Sequence, residues 1–220
     1  MSTIDLRHAS DDEIAAFVFD HPVGETINAW WWAMGPTEVL MEPRWIVEFL
    51  TRLFMEPQPL LARFSPAQIG DGFSLMFSAA LPEKFAHTLW DDAVPWDERH
   101  ACIRALPELY AGLFEVMEAR EDDRGSAMYM LPDFLAFPYD LGERSRDSEG
   151  DRQVQDALLD AFARMLRSRS QATWVATLHG LGHLHHPDGP AVIHAFLGAR
   201  PHLEEGLRSY AVRAMKGDIL

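Results

Sequence analysis

Apolar positions recur along this chain at intervals of three and four, while strict alternation is scarce, so the pattern predicts helices almost throughout. Ser10-Asp11-Asp12-Glu13 places a serine three residues before a glutamate, the arrangement in which each side chain satisfies the other's backbone N–H at a helix start. The stripe that follows is Ile14, Phe17 and Val18. A second helix is predicted over 25–34, ending at Gly35-Pro36, and a third over 43–55 with Trp45, Ile46, Phe49 and Leu53 turned inward. Ser65-Pro66-Ala67-Gln68 is another start signal, because proline in the first turn lacks only an N–H that has no helical partner there. This helix should run to about residue 80, break at Pro82 and be followed by a short helix over 84–89.

The longest predicted helix spans 95–121, with Cys102, Leu106, Leu109, Leu113 and Val116 as one stripe and Pro107 as an interruption. Charged, glycine-containing stretches at 121–125 and 142–152 read as loops. Four amphipathic helices then follow. They carry Val154 to Met165, Trp174 to Leu184, Val192 to Leu197 and Leu203 to Ala214, joined by short connections that favour antiparallel neighbours. The fold class is therefore all-α, one domain over 1–220, with an acidic subregion at 1–141 and a more regular one at 153–220.

Within 176–214, Leu181-Gly182-His183-Leu184, Pro187 at the turn, Ala191-Val192-Ile193 through Phe196-Leu197, and then Leu207-Arg208-Ser209-Tyr210-Ala211 resemble a HEAT-type helical repeat and the start of the next. The resemblance implies an α–α superhelix of stacked helix pairs that serves as a binding scaffold. His185-His186 depart from it where short forms often carry Gly-Asp, and no regular period is found over 1–150. The N-terminal part is then either diverged repeats or an irregular helical bundle.

Charge changes the picture next. The chain carries 34 acidic and 19 basic residues, net −15, which argues against phosphate-backbone binding and against anionic membrane surfaces. The imbalance is local: residues 1–150 hold 27 acidic against 11 basic residues, and 151–220 hold seven against eight. The single cysteine, Cys102, excludes an internal disulfide or a cysteine-based zinc cluster. The N-terminus reads as lacking a secretory signal and no apolar run is long enough to span a bilayer, so a cytoplasmic location is expected.

Candidate chemistry concentrates in two places. Six of the ten histidines fall between His179 and His202. His179 and His183, at i and i+4, share a helix face that stands roughly 140–180° from Trp174, off the apolar stripe, so a neighbouring element or solvent must receive them. That spacing suits a zinc site, with His186 or Asp188 as third ligand and His194 as a further candidate. Gly180 stands where His-Glu-x-x-His enzymes carry their general base, and Gly180 and Gly182 imply a close helix approach. The other place is Trp30-Trp31-Trp32. Three successive residues fan through about 200° of a helix, so one face cannot bury all three unless the helix is covered on both sides. Exposed rings there, shared with Trp45, would anchor a partner.

Asp91-Asp92 and Asp122-Asp123 read as solvated acids near helix ends that would steer a basic partner. The leading expectation is thus a non-enzymatic helical-repeat protein, an adaptor, regulator or immunity-type protein, that binds a protein partner and needs no cofactor. The alternatives are a metal-dependent hydrolase built on His179 and His183, and a small-ligand groove lined by Trp, Phe and Met.

Overall fold

Two serine caps set the helix starts where the sequence places them. In the computed structural model, which describes residues 2–23, 30–119, 126–138, 141 and 144–219, Ser10 accepts from the Glu13 N–H while the Ser10 N–H donates to the Glu13 carboxylate at 2.8 Å, opening α1 (Asp11–Phe19). Ser65 and Gln68 repeat the device at α4 (Pro66–Ser74). Between them lie α2 (Pro43–Met55), with proline in its first turn, and a short α3 (Gln58–Arg63) that the apolar pattern does not announce. Trp45 is a correction: it is 43% exposed, while the next residue, Ile46, takes the core position beside Phe49, Leu50 and Leu53. One step along a helix is a 100° turn, so the two side chains cannot share a face.

Residues 24–29, which include the first half of the helix predicted over 25–34, lie outside the described residues. The part described, Trp30–Met34, is a turn of 3-10 helix. It leads through Gly35, at φ 59°, into a strand, β2 (Thr37–Leu40), which pairs in parallel with β1 (Ser2–Asp5), Ile4 opposite Val39. This small sheet, unannounced by any long alternation, is a minor addition to a predominantly helical, all-α fold.

The helix that opens at Pro66 widens into a π turn over Leu75–Ala79 before Pro82, and the short helix expected over 84–89 is a 3-10 turn at His87–Trp90. The long helix predicted over 95–121 is broken as Pro107 demands: α5 (Trp96–Arg104) stops at Ala105, α6 (Leu106–Leu109) begins with proline in its first turn, and a π turn at Tyr110–Phe114 leads into α7 (Glu115–Ala119). Its stripe survives the breaks, with Cys102, Leu106, Leu109 and Leu113 buried. Burial also pushes the Cys102 thiol up to about 12, which makes it inert at neutral pH.

Next comes α8 (Ser126–Ala136), an element the sequence pattern does not predict because Pro132 sits inside it. Proline cannot donate to the carbonyl four residues earlier, which strands Met128 O in the protein interior. The buried Tyr110 hydroxyl donates to that oxygen at 2.7 Å. The π turn that carries Tyr110 is thereby tied to the proline that unsettles α8.

The second loop is shorter than predicted, since Ser148 caps α9 (Glu149–Met165), whose first residue falls three before the expected loop end. After it come α10 (Gln171–Leu184), α11 (Gly189–Gly198) and α12 (Glu205–Ala214). α10 packs on α8, α9, α11 and α12. Buried apolar residues form one cluster that runs from Ile14 to Ile219. Among the described residues, no helix is long and apolar enough to cross a membrane.

Candidate metal centre

The crossing of α8 and α10 is set by small or ring-closed residues at the contact. A Cβ on Gly180 would stand 2.5 Å from Pro132 Cβ and 3.0 Å from the Pro132 carbonyl carbon, so only glycine lets the two backbones approach this closely. Gly182 plays the same part on another side, against Ile219. The glycines that break the helical pattern thus serve close packing, as the sequence implies.

This approach brings Tyr129 and Asp133, four apart on α8, against His179 and His183, four apart on α10. Among the described residues, Asp133, His179 and His183 form the group of three metal-ligating side chains, with one ligand atom from each lying within 4.8 Å of the others. His183 Nδ1 is 3.6 Å from Asp133 Oδ1, and His179 Nε2 is 4.0 Å from Asp133 Oδ2. Both are too long for hydrogen bonds. Asp133 Oδ1 is buried and has no hydrogen-bond partner. Ligand atoms bound at 2.1 Å to one ion stand roughly 3.0 Å apart at right angles and 4.2 Å apart across it. The observed spacings come within about 0.6 Å of that range, and His183, whose side chain is 28% exposed, has room to close it.

The far side of His179 is built as a metal ligand requires. Its ring is buried, and Nδ1 lies 2.8 Å from the Tyr129 hydroxyl and 2.7 Å from that of Tyr210 on α12, the hydroxyls being 3.0 Å apart. Where Nδ1–H donates to a tyrosine oxygen, Nε2 keeps its lone pair toward Asp133, the tautomer that can bind a metal; where a tyrosine O–H donates to Nδ1, the proton sits on Nε2 instead. Burial, then the neighbouring His183, lowers the His179 pKa to about 4, so the ring is neutral at neutral pH. Burial raises the Asp133 carboxyl above its ordinary value against the opposing pull of His183, and burial followed by the Tyr129 hydrogen bond raises Tyr210.

The other predicted ligands stand elsewhere. His186 Nδ1 accepts from the Asp188 N–H at 3.0 Å, which fixes the proton on Nε2, and Nε2 donates to Asp156 at 2.8 Å. His186 and Asp188 therefore form a turn lock after α10 and do not complete the His179–His183 pair. His194 is exposed on α11. The third metal-ligating side chain beside His179 and His183 is Asp133, which the sequence pattern does not single out, nor does it single out Tyr129. Their i, i+4 spacing was the available signal, masked by Pro132.

The residues predicted to meet a partner are dispersed. Trp30 and Trp31 are half-buried against the core, Trp30 stacking on His21 at 3.3 Å between ring centroids. The Trp32 side chain, Asp122 and Asp123 lie outside the described residues. Trp45 meets His8 edge to face and is 43% exposed. Asp91 caps a turn through the Ala93 N–H. Asp92 is exposed and at 3.0 Å also pairs with the buried Arg99 guanidinium, which donates further to Val94 O and Leu89 O. Comparison with family models, with curated proteins and with solved structures finds no match to this chain.

Proposed function

We propose that this protein is a metal protein, holding one first-row divalent ion, zinc or iron(II), on Asp133, His179 and His183. The observation that carries the reading is the buried Asp133 Oδ1, which has no hydrogen-bond partner and lies 3.6 Å from His183 Nδ1, while His179 Nε2 stands 4.0 Å from the other carboxylate oxygen. A two-histidine, one-carboxylate set leaves coordination positions for a further ligand, and such an ion acts as a Lewis acid on what enters. The site lacks a glutamate next to the first histidine, so it does not follow the His-Glu-x-x-His hydrolase scheme. Tyr129 and Tyr210 stand behind His179 and orient it.

The test is metal uptake by tag-free protein. Elemental analysis as purified, then titration of chelator-treated protein with Zn²⁺ and with Co²⁺, should give one equivalent and visible d–d bands for cobalt. Asp133→Asn and His179→Ala should each lose most of the affinity while circular dichroism stays helical. Folded protein that takes up none of Zn²⁺, Co²⁺ or Fe²⁺ overturns the reading.

A second reading is a HEAT-like surface that binds a basic protein partner. It draws on the net charge of −15, on the exposed Trp45 and on the short turns joining α10, α11 and α12. Salt-sensitive capture of a partner that Trp45→Ala weakens would support it, and capture unaffected by either would set it aside.

A further inference from the structure

On the open side of the α8–α10 crossing lies a cavity of about 320 Å³ walled by Ala136, Phe137, Arg144, Arg146, Gln155, His183, Leu184 and His185. Among the described residues its charged lining is cationic or imidazole, in a chain whose net charge is −15. His183, a proposed ligand of the ion, is one wall. Resting on the metal reading for its second contact, we infer that this cavity binds a small organic carboxylate, held by Arg144 and Arg146 beside the ion on Asp133, His179 and His183.

The guanidinium groups carry the argument. Arg144 donates through Nη2 to Asp151 and lies over the Trp90 ring, while its Nε is buried with no hydrogen-bond partner among the described residues. An acceptor entering the cavity gives that nitrogen a partner, the outcome that buried donors demand. Arg146 spends Nη1 on Gln155 and Nη2 on Asp156, which also takes the His186 Nε2 proton. Each arginine thus has one carboxylate behind it, so the charges at the wall are close to balance while guanidinium N–H groups remain to donate. A wall whose charges are already balanced suits a singly charged carboxylate better than a doubly charged phosphate, and Ala136, Phe137 and Leu184 offer apolar surface to a short hydrocarbon chain.

His185 adds an independent sign. It ends α10 at φ 48°, a left-handed conformation that helix ends normally give to glycine, and it packs on Gly217. Its exposed imidazole at the cavity rim is one more hydrogen-bonding group within reach of an entering carboxylate.

The experiment is saturation-transfer NMR and calorimetry with propionate, and with inorganic phosphate as the contrast, on the full chain both metal-free and zinc-loaded. Propionate should bind the metal-free chain weakly and the zinc-loaded chain about tenfold more tightly, the gain from one added charged contact. Arg146→Gln, which keeps a hydrogen-bonding side chain at that position, should lose about tenfold in both forms with an unchanged urea midpoint. Binding of propionate by a chain that takes up no metal upholds the cavity and overturns the metal reading alone. A chain that takes up zinc yet shows no propionate binding overturns this inference alone. Tighter binding of phosphate than of propionate overturns the carboxylate assignment.

Discussion

The first third of the molecule and its C-terminal helices dispose of their polar side chains in opposite ways. Around α1 to α4 the acids and arginines sit at the rim: Asp11 pairs with Arg52, Asp12 with Arg63 and Glu98 with Arg44, with most of these side chains open to solvent. The interior there is Phe19, Phe54, Phe73 and their apolar neighbours. At the α8–α10–α12 junction the order is reversed, because His179, Asp133, Tyr129 and Tyr210 converge where an apolar core would be expected. The buried polar cluster draws Tyr129 and Asp133 from the end of the acidic region and His179, His183 and Tyr210 from the charge-balanced one. Charge on the surface costs little and signifies little; polar groups taken out of water have to be matched, and a mismatch points to a missing partner.

The contrast breaks most visibly at Gly180. Gly180→Val must push α8 from α10, since its branched side chain meets Pro132 backbone as well as side chain. About 3 kcal/mol of unfolding free energy should be lost in urea titration, together with metal uptake. A midpoint shift of less than a quarter of that would mean that the crossing is looser than drawn. Tyr110→Phe comes next. Removing the hydroxyl leaves Met128 O without a donor under Pro132, and about 1–2 kcal/mol should go, again by urea titration. An unchanged stability would show that water or a shifted turn satisfies the carbonyl.

Those two residues also show where the sequence stops being informative. The starts of α1 and α4 were legible because a cap is a local arrangement of four residues, Ser10 to Glu13 and Ser65 to Gln68. The bounds of α2 and the pairing of His179 with His183 on one face were legible for the same reason, as consequences of helical period. α8 was not, since its proline argues against a helix unless Tyr110, 22 residues earlier, is known to stand by. Asp133 was missed with it. The partner of His179 lies 46 residues away, and only the packing allowed by Gly180 brings it near. Trp45 and Ile46 show the limit of period itself, because a helix of unknown neighbours can turn either residue inward.

Glycine gives a gentler test of the same contrast. Gly70, inside α4, has nothing within 4 Å of where a Cβ would stand. Gly70→Ala should therefore stabilise the chain by about 0.5–1 kcal/mol through lost freedom of the unfolded state, opposite in sign to any substitution at Gly180. Thermal unfolding of the two variants side by side checks it, and a destabilised Gly70→Ala would reveal packing on α4 that the fold does not display.

The smallest effect belongs to the rim. Asp12 and Arg63 form an ion pair in which the carboxylate is 83% exposed, so both side chains are ordered against solvent for little Coulombic return. Asp12→Ala should move stability by no more than about 0.5 kcal/mol, and by less still in high salt. A double-mutant cycle with Arg63→Ala measures the pair itself. A coupling well above that value, persisting in salt, would place real energy in the acidic rim and would return weight to a surface built for a charged partner.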